Sequence, residues 1–343
     1  MIKGFKRAAL LCFSITCLVG GMVHAQTPTW TSVGGASPGP RFGHAGIYDA
    51  VNRRMVIFGG RDFSVGDRND AWALNLALAT PTWSQLFPSG TAPAVRRFMC
   101  AAYDPDQQRM LIFGGLNNST QFDDTWELTL GASPAWNQLS PANKPASRYH
   151  AGSCYDTSAS RMLVFGGWDS ATRLGDAWAY TGGNWTQLGA STPLGVRGNP
   201  NMFHVDGTGK SIVSGGSNNS QYLGDTWELD GTSWAQLSPS PAFPSLVTCA
   251  FAGLGSGRAL VIGGGNGSGT YYETVYRFTL DPSYAAVTVS GSYGGRGNFA
   301  AAYDPPSQRL AIYGGYNGLS PLGDTWLLGA LAVPVTLSAF GIE

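Results

Sequence analysis

Short apolar runs that end in a Gly-Gly doublet recur along this chain at nearly even spacing. In the third of them, Met162–Phe165 precedes Gly166-Gly167. Successive doublets are separated by 55, 52, 49, 48 and 51 residues. Their first glycines are Gly59, Gly114, Gly166, Gly215, Gly263 and Gly314. A repeat of about 50 residues predicts a series of like units that pack against one another.

Each repeat contains four short β-rich runs separated by polar turns. In the third repeat the predicted first strand covers Arg148–Asp156 and the second covers Met162–Phe165. A polar loop leads to a third strand at Ala177-Trp178, and the fourth begins at Trp185. Such runs, bounded by turn residues, predict an antiparallel meander. The expected fold class is therefore all-β.

This pattern resembles the Kelch repeat family. The matching features are the Gly-Gly doublet, a Tyr-Asp pair before the first turn, and tryptophans in the third and fourth strands, as at Tyr155-Asp156, Trp178 and Trp185. The resemblance covers residues 30–328 and implies a six-bladed β-propeller. The fifth repeat departs from the pattern, because Tyr272–Tyr276 replaces its Asp-Thr-Trp motif.

The two ends of the propeller sequence are predicted to meet in the last blade. The fourth-strand motif Trp-x-x-Leu occurs at Trp83, Trp136, Trp185 and Trp234. The sixth repeat ends at Leu328 without that strand, whereas Trp30–Val33 near the N-terminus resembles it. An N-terminal strand that completes the last blade would remove an open sheet edge. The repeated tryptophans are expected to fill the spaces between blades.

The first 25 residues are typical of a secretory signal peptide. Basic residues between Lys3 and Arg7 precede an apolar stretch, and small residues allow cleavage before Gln26. A membrane anchor is the alternative, but the apolar run is short for a bilayer span. We expect a secreted or periplasmic chain without a stable membrane span. Its predicted parts are a signal peptide over 1–25, a propeller over 26–328, and a tail over 329–343 that is an extra strand or the start of another module.

Composition excludes several classes of partner. Only 12% of the 343 residues are charged and the formal net charge is zero, so no basic surface for nucleic acid is predicted. Cleavage would leave Cys100, Cys154 and Cys249. An odd number of cysteines at irregular spacing predicts buried thiols and not a disulfide framework or metal site.

Two polar positions recur in the hairpin that joins the first and second strands. A basic residue stands five positions before each doublet, at Arg54, Arg109, Arg161, Lys210, Arg258 and Arg309. Aspartates open the same hairpin at Asp49, Asp104, Asp156, Asp206 and Asp304. We expect each Asp to face the basic residue of its own hairpin.

One face of the propeller should collect the starts of the first and third strands. Five arginines are expected there, namely Arg41, Arg96, Arg148, Arg197 and Arg296, and five aspartates, namely Asp70, Asp124, Asp176, Asp225 and Asp324. The arginines are candidate ligand-binding residues around the channel mouth, because guanidinium groups suit carboxylates and acidic peptides. The alternative is that each arginine pairs with the aspartate of its blade and serves the scaffold.

The loops after the doublets supply the remaining candidate ligand-binding residues. These are Trp168, Tyr222, Tyr272 and Tyr316, with amide groups from Asn117 and Asn218. Aromatic side chains stack on sugars and anchor protein interfaces, so a glycan or a protein is the expected partner. The alternative is that these rings pack the loops onto the blades. Trp168, Tyr272 and Tyr316 are expected to be the most exposed.

Catalytic and metal-binding groups are scarce after the signal segment. His44, His150 and His204 lie in different repeats and are not expected to converge, so neither a metal nor a cofactor is predicted. The Kelch resemblance also includes copper oxidases, whose histidine pair this chain lacks, and sialic-acid mutarotases. We therefore predict a monomeric, non-catalytic binding module. A metal-free isomerase or lyase at the channel mouth and a structural spacer remain alternatives.

Overall fold

A computed structural model describes residues 27–118, 120–189, 192–329 and 331 of the chain. The predicted signal peptide and nearly all of the predicted tail lie outside the described residues. Within them, the architecture is six four-stranded antiparallel sheets arranged as a β-propeller. The all-β, six-bladed prediction is confirmed.

The first three blades each carry a small extra hairpin in the loop between their second and third strands. Strand β1 (Trp30–Val33) comes first and belongs to blade six. Blade one contains β2 (Ala45–Asp49), β3 (Arg54–Phe58), β6 (Ala71–Asn75) and β7 (Thr82–Leu86), with β4 (Arg61–Asp62) and β5 (Gly66–Asp67) in the loop. Blade two contains β8 (Cys100–Asp104), β9 (Arg109–Phe113), β12 (Thr125–Thr129) and β13 (Trp136–Leu139), with β10 (Leu116–Asn117) and β11 (Thr120–Gln121). Blade three contains β14 (Gly152–Asp156), β15 (Arg161–Phe165), β18 (Ala177–Thr181) and β19 (Asn184–Gln187), with β16 (Trp168–Asp169) and β17 (Thr172–Arg173).

The remaining blades follow the same order. Blade four contains β20 (Asn201–Val205), β21 (Lys210–Ser214), β22 (Thr226–Asp230) and β23 (Ser233–Leu237). Blade five contains β24 (Ala250–Gly255), β25 (Arg258–Ile262), β26 (Val275–Thr279) and β27 (Ser283–Ala286). Blade six contains β28 (Ala300–Asp304), a 3-10 turn at Pro305–Ser307, β29 (Arg309–Tyr313) and β30 (Thr325–Leu328). The five arginines predicted at the starts of the first strands precede those strands by several residues, so they lie in the linkers between blades and not in the strands.

The ring closes where β1 pairs with β30. Trp30 lies opposite Leu328 and Val33 opposite Thr325 in an antiparallel register. This confirms that the N-terminal strand completes the last blade. The first strands of the blades surround a central channel. We call the side that carries the post-doublet loops and inter-blade linkers the loop face, and the side with the turns between first and second strands the hairpin face.

The hydrophobic core lies between blades. In β9 every residue from Met110 to Phe113 is buried, because both sides of a blade face a neighbouring blade. The fourth-strand tryptophans pack against the preceding blade: the Trp185 ring centroid lies 5.0 Å from that of Phe113, and Trp136 lies 4.7 Å from Phe58. The prediction that these tryptophans form inter-blade core is confirmed.

The Gly-Gly doublets are required by backbone geometry. Gly59 and Gly60 have φ of 68° and 91°, a region that side chains other than glycine rarely adopt. A Cβ atom on Gly59 would lie 2.7 Å from the carbonyl oxygen of Arg96 in the next blade. The doublet therefore permits a close approach between adjacent blades.

The expected Asp–Arg hairpin pairs form in three blades, at Asp49–Arg54, Asp104–Arg109 and Asp156–Arg161. In blade four the expectation is wrong. Val205 takes the position opposite Lys210, Asp206 is displaced by one residue and exposed, and Lys210 pairs with Glu228 instead. In blade six Asp304 pairs across the blade junction with Arg53 at 2.8 Å.

Candidate binding face and channel

Five of the six blades share a hydrogen-bonded trio of Arg, Asp and Trp side chains, which we call the clamp. In blade two, the guanidinium of Arg96 donates to both carboxylate oxygens of Asp124, at 2.6 and 2.8 Å. Trp126 Nε1 donates to the same carboxylate at 2.7 Å, and Arg96 also donates to the carbonyl of Gly114 at 2.9 Å. The other clamps are Arg41–Asp70–Trp72, Arg148–Asp176–Trp178, Arg197–Asp225–Trp227 and Arg296–Asp324–Trp326.

The clamp arginines are buried, and each guanidinium nitrogen donates at least one hydrogen bond. All five are at most 1% exposed, and in blade two the remaining Nε donates to the carbonyl of Ala94. Burial alone would raise the pKa of Asp124, but the hydrogen bonds from Arg96 and Trp126 outweigh it and keep that pKa below its ordinary value. We therefore revise the assignment of Arg41, Arg96, Arg148, Arg197 and Arg296 as ligand contacts. They hold the linker before each first strand to the start of the third strand of the same blade.

Blade five has no clamp among the described residues. Leu246 takes the place of the arginine. Its backbone carbonyl accepts from the backbone N–H of Gly216, and the backbone carbonyl of each clamp arginine accepts in the same way from the second glycine of a doublet. Thr274 and Tyr276 replace the aspartate and the tryptophan. The uneven Arg–Asp pairing that an enzymatic site at the channel mouth would need is not seen in the five clamps.

The predicted aromatic candidates lie on the loop face but differ in exposure. Tyr222 is 45% exposed, and its hydroxyl donates to the carbonyl of Gly267 at 3.3 Å. Tyr316 and Tyr272 are half-buried. Trp168 is also half-buried, because the guanidinium of Arg173 lies 4.0 Å over its ring. The expectation that Trp168, Tyr272 and Tyr316 are the most exposed is wrong, since these rings pack against neighbouring loops.

The two predicted asparagines are also part of the loops. Asn117 is half-buried and pairs with Thr120 in the extra hairpin of blade two. The side-chain oxygen of Asn218 accepts from the backbone N–H groups of Ser220 and Gln221, both at 2.9 Å. Its oxygen thus closes a turn. Whether either asparagine contacts a ligand stays a prediction.

A continuous series of aromatic rings crosses the loop face, and we call it the aromatic band. Tyr271 contacts Tyr316, Tyr316 contacts Phe42 and Phe63, and Phe42 contacts Phe98, with centroid separations of 5.5–6.0 Å. The band continues from Phe98 to the stacked ring of His150. Phe63 is 58% exposed, and in the adjacent loop tips Val65 is 66% and Leu319 85% exposed. Sequence reasoning missed Phe42, Phe98 and Phe63 as members of one surface, because they come from different loops.

Six residues with left-handed backbone surround the channel on this face, and we call them the mouth ring. They are Gly43, Phe98, His150, Asn199, Thr248 and Asn298, with φ of 52–65°. Five of them are not glycine, and each such residue costs on the order of 1–3 kcal/mol. Strain of this kind concentrates at functional sites. Position is one sequence signal, since each lies two residues after a clamp arginine or its counterpart. Residue type is a second signal at Gly43, His150, Asn199 and Asn298, because glycine, histidine and asparagine tolerate this conformation.

Below the mouth ring is a cavity of about 190 Å³. A second cavity of about 360 Å³ lies toward the hairpin face, between Tyr48, Tyr103, Tyr155 and Tyr303. Ser153, Met202 and Phe251 line both cavities, so the two cavities adjoin at these three side chains. Two of these tyrosines have partners, because Tyr48 donates to Asp304 and Tyr103 to Asp49.

The histidines do not form a metal site. Burial and the charge of Arg41 lower the pKa of His44 to about 3, and burial and Arg97 lower that of His150 to about 3. Both rings are therefore neutral at physiological pH. Over the described residues, no group of three or more His, Cys, Asp or Glu side chains could hold a metal ion. The described part of the chain also contains no helix that is long and apolar enough to span a membrane.

Comparison with known families settles the class of the repeats. The KLHDC2/KLHL20/DRC7 Kelch-repeats domain profile matches residues 21–144 and 132–315. The chain belongs to the Kelch-repeat family. Kelch propellers generally bind protein partners, so this Kelch propeller is of a type that acts in protein–protein interaction.

Individual relatives share only the repeats with this Kelch propeller. It is 28% identical over 164 residues to "Tip elongation aberrant protein 1" of Schizosaccharomyces pombe, covering 43% of this chain and 13% of that protein. It is 38% identical over 81 residues to "Dynein regulatory complex subunit 7" of Chlamydomonas reinhardtii, covering 24% and 7%. It is 30% identical over 203 residues to "Putative adagio-like protein 2" of rice (Oryza sativa subsp. japonica), covering 53% and 31%. The chain thus spans less than a third of the length of these relatives.

Proposed function

We propose that this Kelch propeller is a binding module that takes up a protein partner on its loop face, with the aromatic band as the contact surface. The observation that carries the proposal is the exposure of Phe63, Val65 and Leu319 beside the packed rings of Phe42 and Tyr316. Exposed apolar groups on a rigid support are typical of interaction sites.

The scaffold favours binding without rearrangement of the blades. The clamps fix five blades internally, and the mouth ring joins neighbouring blades by backbone bonds such as Phe98 N to Gly43 O at 2.7 Å. The contact residues lie in short loops above this frame. A surface that is ordered before the partner arrives loses less conformational entropy on binding.

Site-specific photo-crosslinking tests the proposal. A photoreactive phenylalanine analogue replaces Phe63 on the loop face, and in a matched variant it replaces Val51, which is 59% exposed in a turn on the hairpin face. We expect a discrete crosslinked protein from position 63 and none from position 51. The same products from both positions would contradict the proposal.

Affinity measurements on the identified protein complete the test. Phe63→Ser should weaken its Kd at least about tenfold, as loss of an aromatic anchor does, whereas Val51→Ser should leave it unchanged. Both side chains are exposed, so neither variant should lower the free energy of unfolding by more than about 0.5 kcal/mol. Unchanged affinity in Phe63→Ser would remove the aromatic band from the interface.

A glycan is the second candidate ligand, and Tyr222 is the observation that favours it. Its exposed ring lies over Gly267, and Arg173 bonds to the side-chain oxygen of the neighbouring Asn219 at 3.0 Å. An exposed aromatic ring beside polar groups suits a sugar. Glycan binding that is lost in Tyr222→Ala and kept in Phe63→Ser would support this candidate over the protein.

We also propose that the propeller acts outside the cytoplasm and as a monomer. The basic and apolar pattern of the first 25 residues supports export, and the pairing of β1 with β30 leaves the propeller's ring closed within one chain. Fractionation of cells that produce the full chain, with N-terminal sequencing of the product, tests the first part. Light scattering on the purified protein tests the second.

A further inference from the structure

A hydrogen-bonded relay at the channel mouth has only one possible direction. Trp168 Nε1 lies 3.1 Å from Asn199 Oδ1. An indole N–H can only donate, so the acceptor atom of the Asn199 amide must face Trp168. The amide nitrogen of Asn199 then faces His150, and its Nδ2 atom lies 3.2 Å from His150 Nδ1.

This orientation of Asn199 fixes the tautomer of His150. The amide nitrogen is a donor, so Nδ1 of His150 must accept and cannot carry a proton. A neutral imidazole carries a single N–H, which must therefore be on Nε2. Burial and the charge of Arg97 keep the ring neutral, with its pKa near 3.

The ring of His150 is fixed by its neighbours, and its Nε2 atom makes no hydrogen bond to the described residues. It stacks on Phe98 with centroids 3.6 Å apart and 27° between the planes. Nδ1 is occupied by Asn199, whereas Nε2 has no hydrogen-bond partner among the described residues. His150 lines the 190 Å³ cavity of the mouth. A directed N–H donor is thus present at the loop-face end of the channel.

The mouth ring is interrupted beside this donor. Backbone N–H groups link Gly43 to Asn298, Phe98 to Gly43, His150 to Phe98, Asn199 to His150 and Asn298 to Thr248. Within the described residues, no such bond joins Thr248 to Asn199. Among the described residues, the carbonyl of Asn199 and the N–H of Thr248 thus have no backbone partner, and both residues line the same cavity.

The cavity offers no charge to a ligand. The described residues that line it include no Lys, Arg, Asp or Glu, and their polar side chains are those of His, Asn, Ser, Thr and Cys. A carboxylate or ammonium group would lose its hydration without a counter-ion. An amide has both a carbonyl acceptor and an N–H donor, which complement the groups present.

We infer that the channel mouth is a binding site for an uncharged amide group, whose carbonyl accepts the Nε2–H of His150. This deepens the proposed function, on which it rests only for the choice of the loop face. His150 is the contact residue, and Asn199 and Trp168 are positioning residues that act through it. The amide can come from a peptide or from an N-acetylated sugar.

Nuclear magnetic resonance of the purified full-length protein, with ¹⁵N-labelled histidine, tests the inference. The free protein should show the Nε2–H tautomer of His150. N-methylacetamide or N-acetylglucosamine should shift the His150 resonances saturably, and acetate and glucose should not. The tighter of the two amide probes identifies the source. The Nδ1–H tautomer, no saturable shift with either amide, or equal binding of acetate would overturn the inference.

Variants separate the relay from general stability. Asn199→Asp keeps a residue that tolerates left-handed backbone, but its acceptor-only carboxylate should draw the His150 proton to Nδ1 and weaken amide binding about tenfold. Trp168→Phe keeps an aromatic ring but removes the indole donor, and it should yield a mixture of tautomers. Trp83→Phe is the matched control, because its indole donates to Thr325 away from the mouth. Identical spectra and affinities in all three variants would overturn the relay. The crosslinking result at position 63 does not depend on the relay, so it tests the proposed function separately.

Discussion

Tyr48 of blade one donates its hydroxyl to Oδ1 of Asp304 in blade six at 2.6 Å, next to the junction where the ring closes. Arg53 donates to both oxygens of the same carboxylate, at 3.1 and 2.8 Å. Asp304 is fully buried, so its negative charge depends on these partners. Blade six is thus held by β1, which pairs with β30, and by the buried carboxylate of Asp304, which bonds to Tyr48 and Arg53 of blade one.

Asp304 should make stability depend on acid pH. Its burial would raise its pKa, but the hydrogen bonds of Arg53, Ser307 and Tyr48 outweigh this and lower it to about 2. Because the folded pKa lies below the unfolded value near 3.8, the stabilisation is complete above about pH 4 and is lost as the pH falls toward 2. The ionised carboxylate of Asp304 thus contributes about 2 kcal/mol to the free energy of unfolding. Urea unfolding at several pH values should show this loss in wild type, and a smaller one in Asp304→Asn; parallel curves would contradict it.

Breaking one clamp should destabilise the fold strongly. Asp124→Asn leaves the buried guanidinium of Arg96 without its counter-charge, which we expect to lower the free energy of unfolding by about 3 kcal/mol. Asp123→Asn is the matched control, since Asp123 pairs with Lys144 where both side chains are nearly half exposed. Chemical denaturation measures both. Equal midpoints for the two variants would show that the clamp contributes little.

The closing strand should be essential to the ring. Trp30 is 4% exposed, and its ring centroid lies 4.6 Å from that of Tyr293. Trp30→Ala should cost about 3–5 kcal/mol through lost burial and the cavity left behind. Thr31→Ala, at the exposed next position of β1, should cost far less. Thermal unfolding of the two variants checks this, and a Trp30→Ala protein as stable as wild type would refute it.

Two histidines with lowered pKa values should add a second pH dependence. His44 and His150 have folded pKa values of about 3, against 6.5 for an ordinary histidine. The unfolded chain binds protons below about pH 6.5 and the folded chain does not, so the free energy of unfolding should fall as the pH drops from 6.5 toward 3. The Hε1 resonances of His44 and His150 in the folded protein should stay constant between pH 8 and 5. Titration of either ring near pH 6.5 would disprove its burial in neutral form.

Much of the fold could be predicted because it follows from spacing and local chemistry. The Gly59-Gly60 doublet demands positive φ, and Trp30–Val33 supplies the strand that blade six lacks, so the number of blades and the closure follow from the sequence. The pairing of Arg96 with Asp124 was one of two alternatives. Periodicity alone could not choose between them, because a ring of arginines around a ligand would have the same spacing.

The surface was harder to predict. Exposure of a loop aromatic depends on how the loop folds over it: Trp168 is covered by Arg173 of the same extra hairpin, whereas Phe63 projects from its loop. The left-handed backbone of Phe98 carries no composition signal, since phenylalanine is not typical of that conformation. The predicted pairing of Asp206 with Lys210 was wrong because a shift of one residue in a hairpin changes which side chain lies opposite the basic residue.

The two cavities of the channel share Ser153, Met202 and Phe251 in their walls. A substitution that enlarges or shrinks any of these three side chains therefore changes the space beside His150 and the space among the hairpin-face tyrosines together. An engineer who reshapes one end of the channel would thus reshape the other.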